Sequence, residues 1–534
     1  MALETAASRA ASIWAGHYAG VLELLPLPAA TWADYAVLSH GEVIQRNRGV
    51  GVHGSWRSKP YPGSLAGCAS PKYVSAADAF RTRGDKNRRV VTPLVRAVIV
   101  NYNAATLLER CLSSLAASDW PADQLEIVVV DNGSEDDSVV RAGRVLPHAV
   151  VVETGQNLGF GAAANLALED LKAVDYVALV NNDAFVEPGW LSPLVRALEA
   201  DPGLGASCPK IVFASRFVEL EVEAPARAPG RGDYRRLGVR ASSAEVDGVD
   251  RWQDAQFVRG WHAGEHGVPG ESRYRWSSDR ALLRLPAGES GRLQVAAQVE
   301  KELLIRSWAG ERAYLVGRSP SWIEVDMTGL PVDVVHNAGS IAVRGGYGGD
   351  RGFLEVDRGQ YNAPVEVFAW CGCAALLRRA YLEDVGRFDP SLFLYYEDFD
   401  LSWRGRARGW RYVYVPKSVV RHVHTASSDE GAPRFQHYIE RNRLLVHVKN
   451  APAGYAANAV ARYLGGTGRD ALRDVISPLL RGERPHVARV VNRLRTLGAA
   501  IAQLPKALRV RRRLRRAQTV SDRELLSWAK PPPR

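Results

Sequence analysis

The sequence contains few of the residues that mark exported, disulfide-bonded or membrane-spanning proteins. Five cysteines and two methionines occur among its 534 residues. An odd and sparse set of cysteines is typical of the reduced cytosol and argues against a disulfide framework. No run approaches the roughly 20 uninterrupted apolar residues of a membrane-spanning helix, and no basic stretch followed by an apolar core opens the chain. We therefore expect a cytoplasmic protein without a secretion signal.

Glycine and proline are also too few for a collagen-like or low-complexity chain, with 48 and 29 residues respectively. Apolar residues make up 46% of the sequence, which predicts a globular protein, and its length predicts two to four domains at about 150 residues each. The net charge of +11 is concentrated at the end, since residues 451–534 contain 18 basic and five acidic residues. Such a tail suits an anionic membrane surface, a nucleic acid or an acidic protein.

Short β-branched runs alternate with helical patterns after residue 96. The runs AVIVNYN, LEIVVVDN, AVVVET and DYVALVNND predict four strands, and the segments between them repeat apolar residues at helical spacing. This alternation predicts an α/β fold with a parallel sheet covered on both faces. Ligands of such sheets bind at the carboxyl ends of the strands. We expect one cleft lined by the polar residues that follow them, at 101–103, 131–134, 157–161 and 181–183.

The remaining sequence divides into further regions. The stretch VFAWCGCAALLRR predicts a buried strand, in which Cys371 and Cys373 are small core residues rather than zinc ligands. The predicted organisation is a poorly ordered extension at 1–90, a nucleotide-binding half at 91–216, an inserted all-β sandwich at 217–335, an acceptor or catalytic half at 336–450, and a basic helical tail at 451–534.

Two positions are candidates for binding a divalent cation. Asp183 ends an apolar strand after two asparagines, and Mg²⁺ and Mn²⁺ prefer oxygen ligands. The pattern predicts an anchor for a metal-diphosphate, with a helix-capping aspartate as the alternative. His422 and His424 flank one residue of an extended run and so face the same side. One of them is a candidate metal or phosphate ligand, and a structural histidine is the alternative.

Two other strand ends are candidates for binding a nucleotide. Asp131 could accept a hydrogen bond from a ribose hydroxyl or a base N–H, although an aspartate that stabilises the turn is the alternative. Gly159, in the stretch NLGFG, would let the backbone approach a ligand closely. The first strand is followed by NYNAAT instead of the glycine fingerprint of dinucleotide-binding proteins. This absence argues against a nicotinamide-dependent oxidoreductase.

The segment FLYYEDFDLSW combines three carboxylates with aromatic residues. Burial among aromatic rings raises the pKa of a carboxyl group toward the range useful for a general base. Glu397, Asp398 and Asp400 are therefore candidates for acid–base chemistry. The alternative is a solvated helix start.

Six motifs taken in order resemble those of inverting family 2 glycosyltransferases of the bacterial rhamnosyl- and galactofuranosyltransferase-like type. The resemblance covers about residues 96–216 and 337–450, somewhat under half of the chain. The motifs are VIVNYNAATLLERCLSSL, VVVDNGSEDDS, NLGFGAAAN, LVNNDAFVEPGWL, GRFDPSLFLYYEDFDLSWRGRARGW and VVRHVHTASS.

This resemblance implies a GT-A fold that binds a nucleotide sugar, such as a UDP- or dTDP-sugar, together with Mg²⁺ or Mn²⁺. The implied acceptor is a saccharide or a polyprenyl-linked saccharide of a cell-surface polysaccharide. Asp398 would be the catalytic base, with Glu397 as the second candidate, and Asp183 and His422 would belong to the metal site. The residues expected at the nucleotide sugar are Asn101, Asn103, Asp131, Asn157, Gly159 and Asn182.

The chain departs from the family pattern in two respects. Asn181 and Asn182 stand where the metal motif has its first aspartate, which predicts a low affinity for the metal. The β-rich insert lies outside the minimal fold. A non-catalytic sugar-binding or scaffold protein therefore remains as the alternative function.

The tail carries six arginines within eight residues, beside the apolar stretch LGAAIAQL. This composition predicts a helix lying on an anionic bilayer, and thus a peripheral protein on the inner face of the plasma membrane. The alternative is a basic helix packed on the catalytic domain, and nucleic acid is not expected because no binding motif accompanies the charge. The arginines are Arg509, Arg511, Arg512, Arg513, Arg515 and Arg516.

Overall fold

The computed structural model describes residues 92–229, 235–262, 264–266, 273–343, 347–423, 433–482 and 484–529. The extension predicted over 1–90 lies outside these residues, as does His424.

The first half of the chain alternates strands and helices as predicted. In parallel register, β1 lies between β2 and β4, and β3 flanks β2, so that Asn101 is level with Asp131. The elements are β1 (Val95–Asn101), α1 (Ala105–Ala116), β2 (Leu125–Asp131), α2 (Ser138–Val145), β3 (Val150–Glu153), α3 (Phe160–Ala167), β4 (Tyr176–Val180), β5 (Ala184–Val186), α4 (Leu191–Ala200) and β6 (Leu204–Phe213).

A second sheet of ten strands follows as an insert. Its longest strand pairs with β7 through its second half and with β8 through its first, and both halves contribute to one apolar core. The strands are β7 (Phe217–Glu223), β8 (Val239–Val246), β9 (Val249–Asp250), β10 (Gln256–Trp261), β11 (Glu265–His266), β12 (Arg273–Pro286), β13 (Gly291–Ala297), β14 (Lys301–Ser307), β15 (Gly310–Val316) and β16 (Ser321–Val325).

The chain then returns to the first sheet. Phe217 at the entry of the insert pairs with Val332 at its exit, so the two connections lie side by side. The returning elements are β17 (Val335–Asn337), β18 (Ser340–Val343), β19 (Tyr347–Asp350), β20 (Val365–Glu366), β21 (Ala374–Arg378), α5 (Arg379–Val385), α6 (Glu397–Ala407) and β22 (Arg411–His422).

The sheet differs from the prediction in two details. The first four strands are parallel as predicted, but the whole sheet is mixed, because β21 runs antiparallel to β4 and β6. The strand predicted over VFAWCGCAALLRR is limited to Ala374–Arg378. The residues before it do not continue the strand, since the amide of Gly372 donates to the side chain of Asp398.

Helices form the last part of the described chain. α10 packs along α7, burying Ala500 and Ala507, and Trp528 then contacts Phe368 and Arg406. No helix in the described ranges combines the length and apolar composition needed to cross a membrane. The helices are α7 (Pro433–Asn450), α8 (Ala453–Ala471), α9 (Ser477–Leu480), α10 (Ala488–Ala517) and α11 (Asp522–Ser527), with a π-helical turn at Leu472–Ile476 between α8 and α9.

Candidate active site

The carboxyl ends of β1, β2 and β4 are joined by hydrogen bonds between buried polar side chains. The amide of Asn101 donates to Asp131 Oδ1 over 3.1 Å, and Asn182 Nδ2 donates to Asn101 Oδ1 over 3.0 Å. All three side chains are buried. Parallel pairing brings them together, because it places the ends of neighbouring strands at one edge. The structure thus groups three of the predicted nucleotide-binding residues.

Ser134 organises the turn after β2. Its amide and hydroxyl donate to the two carboxylate oxygens of Asp131, over 3.0 and 2.6 Å, so the turn-stabilising role considered for Asp131 is present. The hydroxyl oxygen also accepts from the backbone N–H of Asn103, whose positive φ of 48° an asparagine tolerates. Asn103 in turn accepts from the amide of Glu135. Ser134 belongs to the polar residues 131–134 expected at the cleft, and its position in an Asn-Gly-Ser turn is a signal for this role.

Gly159 makes a close contact within the chain that the sequence did not predict, and its predicted role beside a ligand stays a prediction. Its φ is 84°, and an added Cβ would lie 2.3 Å from the carbonyl oxygen of Phe393. The next amide, of Phe160, donates to that same oxygen over 2.8 Å. Asn157 secures the turn, because its Oδ1 accepts from Asn132 and from the Gly159 amide. The glycine is therefore required for packing against the segment that leads into α6.

Asp183 and His422 form a buried pair. Asp183 Oδ1 lies 3.1 Å from His422 Nε2, with the two residues 4% and 7% exposed. Antiparallel pairing of β5 with β22 produces this contact, since Ala184 is the partner of His422. Asp183 precedes β5 and does not cap a helix, which excludes the alternative considered for it.

A carboxylate oxygen and an imidazole nitrogen at one point are a suitable pair of ligands for a divalent cation. In the part of the chain that the structure describes, no group of three or more His, Cys, Asp or Glu side chains forms a complete metal site. A cation held by Asp183 and His422 would thus need oxygens from a bound diphosphate or water. His336, not identified from the sequence, packs its ring 4.8 Å from that of His422.

Asp398 lies in the first turn of α6 and is held by backbone amides. Oδ2 accepts from Gly372 over 2.8 Å and Oδ1 accepts from Phe399 over 2.7 Å. Burial raises the pKa of Asp398 to about 6; the two amides oppose this shift, and the charge of Asp350 adds to it. Burial and the Asp398 charge raise the pKa of Glu397 to about 8. The burial of Glu397 and the two amides that bind Asp398 argue against a solvated helix start.

The third carboxylate of this group has a structural role. Asp400 accepts from Arg404 Nε over 3.0 Å, from Lys449 Nζ over 2.8 Å and from Asn450 Nδ2 over 2.8 Å. Burial opposes its ionisation, but Lys449 and Arg404 lower its pKa overall. Asp400 thus anchors α6 to the end of α7, while Asp398 remains the candidate base.

One short segment connects the candidate base to the strand end that carries Asp183, the candidate metal ligand. Gly372 donates to Asp398, and the carbonyl of Cys373 accepts from the amide of Asn181 over 2.9 Å. Burial raises the pKa of both Cys371 and Cys373 well above the usual range, so the thiols are neutral. Both pack in or against the apolar core, as the sequence predicted.

The segment before α6 has an unusual backbone. Phe393, Tyr395 and Tyr396 all have φ between 62° and 70°. Asn442 of α7 holds this segment, because its Nδ2 donates to the carbonyls of Leu392, Leu394 and Tyr395 over 2.7 to 2.8 Å. Non-glycine residues in this conformation persist only where the surroundings enforce it, commonly at functional sites. Nothing local in the sequence indicates Asn442, which acts from about 50 residues away.

Family models match the parts of the chain that carry the candidate site. The models "Glycosyl transferase family 2" and "Glycosyltransferase like family 2" match residues 97–224 and 355–443, on either side of most of the insert. The N-acetylglucosaminyl-diphospho-decaprenol L-rhamnosyltransferase of Mycobacterium tuberculosis is 24% identical over 363 residues, which cover 65% of this chain and 82% of that protein.

Solved structures show a more distant similarity. A GalNAc-T7 structure with UDP, GalNAc and Mn²⁺ aligns with 71% of this chain at 13% identity and a TM-score of 0.38, and this chain spans about half (51%) of its length. The mannosyltransferase PcManGT from Pyrobaculum calidifontis, with GDP-Man and Mn²⁺, aligns with 79% of this chain and 91% of its own at 15% identity and a TM-score of 0.34. These scores are too low to transfer any geometry.

The family matches fall on the sheet that carries the polar strand ends and on α6, which carries the candidate base. The rhamnosyltransferase relative extends the similarity over most of its own length. The two regions of this chain that carry the candidate site are thus similar to family 2 glycosyltransferases.

Proposed function

We propose that this glycosyltransferase moves a sugar from a nucleoside-diphosphate sugar to a lipid-linked saccharide, with inversion at the anomeric carbon, in cell-surface polysaccharide synthesis. One observation carries the proposal: Asp398 and Asp183 lie at the same edge of the sheet, connected through Gly372, Cys373 and Asn181. The name of the mycobacterial relative favours a rhamnosyl donor and a polyprenyl-diphosphate-linked N-acetylglucosamine acceptor.

Asp398 is suited to remove the proton from the acceptor hydroxyl. A carboxyl with a pKa of about 6 is a stronger base than an ordinary aspartate and is still mostly ionised at neutral pH. As the acceptor oxygen bonds to the anomeric carbon, its proton passes to Asp398. The bond to the diphosphate oxygen breaks, with its electron pair leaving on the diphosphate. Attack from the side opposite the leaving group inverts the configuration.

The two backbone amides that hold Asp398 fix its direction. Because both carboxylate oxygens accept from rigid N–H groups, the side chain cannot rotate away from the cleft. Glu397, whose raised pKa keeps it protonated at neutral pH, adds no second negative charge beside the base. Asn101 and Asp131 would contact the nucleotide at the strand ends.

Asp183 and His422 would hold a Mg²⁺ or Mn²⁺ ion. When bound, this ion would supply positive charge to the departing diphosphate.

A donor panel tests the proposal. Purified protein is incubated with UDP-, dTDP- and GDP-sugars, each with Mg²⁺, with Mn²⁺ or with EDTA, and a short-chain prenyl-diphosphate N-acetylglucosamine. Mass spectrometry detects the product and NMR assigns its anomeric configuration. We expect metal-dependent transfer from one donor with inversion. Nucleotide binding without turnover in every combination would support the non-catalytic alternative, and retention of configuration would contradict the single displacement.

A further inference from the structure

One outward side of α10 is exposed along the helix and changes from apolar to basic. Its aliphatic residues, and the valine just before the helix, recur at intervals of three, four or seven, which places them on one side. The arginines of the last turns follow with the same spacing. The aliphatic residues are Val487, Val491, Leu494, Ile501 and Leu508, and the arginines are Arg509, Arg512, Arg513 and Arg516.

The π-helical turn Leu472–Ile476 and α9, which precede α10, carry further exposed aliphatic residues. Leu472, Ile476, Leu479 and Leu480 are exposed, with Leu480 at 84% and both Leu472 and Leu479 at 56%. Exposed aliphatic residues on soluble proteins usually occur singly. A cluster of such residues on one helical hairpin indicates a surface that is covered by a partner with an apolar region.

The opposite sides of these helices are firmly packed. Thr496 and Ala500 are buried against α7, and Tyr463 donates to the carbonyl of Arg493. Two of the six arginines predicted to face a bilayer also point inward. Arg511 donates to the backbone carbonyls of Val448 and Ala451, and Arg515 pairs with Asp522. Part of the tail thus packs on the catalytic domain, which was the alternative considered for it.

The four outward arginines enclose an open cavity of about 520 Å³, lined by them and Ala517. The charge of the whole tail, 18 basic against five acidic residues, has the same sign. Guanidinium groups bind phosphate oxygens in a bidentate manner. A second copy of this chain would bring like charges together at this end of the helix, so charge complementarity favours an anionic partner.

We propose that the outer side of α10 and the exposed leucines before it form a docking surface for an anionic phospholipid bilayer. The aliphatic side chains enter the boundary between headgroups and acyl chains, and the arginines bind lipid phosphates. This inference rests on the proposed function in one respect. A lipid-linked acceptor lies in such a bilayer, so binding to the bilayer would bring the enzyme to its acceptor.

Vesicle co-sedimentation of the full chain tests this surface with two variants. The first changes Arg509, Arg512, Arg513 and Arg516 to Gln, and its control changes four exposed arginines of the insert. The second changes Leu472, Leu479 and Leu480 to Gln. Vesicles are of phosphatidylcholine alone or mixed with phosphatidylglycerol, at low and high salt. The insert control consists of Arg259→Gln, Arg280→Gln, Arg312→Gln and Arg318→Gln.

We expect the first variant to lose affinity for anionic vesicles by roughly tenfold or more and to lose the salt dependence, while its control binds like the parent. The leucine variant should lose roughly tenfold on anionic vesicles at either salt concentration. Both variants should keep cooperative thermal unfolding and the parent rate on the water-soluble short-chain acceptor. That rate separates this inference from the proposed function. If the parent protein showed no transfer to the short-chain acceptor, only the proposed function would be contradicted.

Unchanged vesicle binding by both variants would overturn the inference. If the leucine variant had a lower mass than the parent in sedimentation without vesicles, the surface would instead be one for self-association. If the arginine variant and the insert control lost equal affinity for the vesicles, the loss would be an effect of net charge. This result would also contradict a defined surface.

Discussion

The two large sheets of this molecule each contain ten strands, yet they use charged residues in opposite ways. In the first sheet, Asp131 and Asp183 are buried at the strand ends, and in the helix α6 beside it the pKa of Asp398 is raised to about 6. In the insert, carboxylates lie on the exposed sides and pair with arginines. Arg236 lowers the pKa of Asp279 to about 2. Among the described residues of the insert, the buried polar side chains are Gln256, Ser277 and Arg284.

Strand direction explains much of this difference. The parallel strands β1, β2 and β4 end at one edge, so polar residues distant in sequence converge there. The strands of the insert run antiparallel in every pair that the structure describes, and successive strand ends fall at opposite edges. The insert therefore stabilises itself through an apolar core and surface ion pairs, and it does not assemble a comparable polar edge.

Replacing the candidate base should produce the largest effect. Asp398→Asn keeps the size of the side chain and removes the proton acceptor, so the transfer rate should fall by about 100-fold or more while donor binding is retained. Asp279→Asn, on the insert, is the control and should leave the rate unchanged. Near-parent turnover in Asp398→Asn would exclude Asp398 as the base.

Removing the candidate metal-binding carboxylate should give the next largest effect. Asp183→Ala should weaken nucleoside-diphosphate binding about tenfold or more with Mn²⁺ and much less in EDTA, because the lost ligand acts through the cation. Calorimetry measures both affinities, with the exposed insert residue Asp254→Ala as the control. Equal weakening in the two conditions would remove Asp183 from the metal site.

The raised pKa of Asp398 predicts an acidic limb in the rate profile. Below pH about 6 the base is protonated, so kcat/KM should fall about tenfold per pH unit, and above it the rate should level off. The folded chain holds this proton more tightly than the unfolded chain, so ionisation of Asp398 lowers the free energy of unfolding as pH rises from about 4 to about 6. A limb centred near pH 4 would show that Asp398 is solvated.

Removing the insert should have the smallest effect on nucleotide binding. Replacing residues 218–331 by a short Gly/Ser linker keeps the Phe217–Val332 pair and removes a domain with its own core. The hydrogen bond from Arg284 to the carbonyl of Leu354 is lost, which should lower the free energy of unfolding by about 1 to 3 kcal/mol. Nucleotide affinity should stay within about threefold. Non-cooperative unfolding would show that the insert is integral to the first sheet.

Hydrophobic periodicity predicted the α/β class, the first four strands and the β-rich insert, because these depend on neighbouring residues. It did not predict the antiparallel direction of β21, which is set by the path of the chain between sheets. The polar positions 101, 131 and 182 were identified because parallel strands end together.

Contacts distant in sequence were missed for a physical reason. Asn442 donates to carbonyl groups about 50 residues earlier in the chain. Gly372 contributes only its backbone amide, and a sequence pattern does not indicate which backbone amide will bind a side chain. The contact of Gly159 with the backbone of Phe393 was also missed, while its predicted role beside a ligand stays a prediction.

The pairing of Phe217 with Val332 has a consequence for the history of the gene. Because the two junctions already pair in antiparallel orientation beside the β6–β17 pair, we expect the host strands to keep their register with or without a domain between them. A single recombination event could exchange or delete the insert without disturbing Asp183 or Asp398. Related chains should therefore differ by a whole domain between these two junctions, and their host strands should keep a constant length.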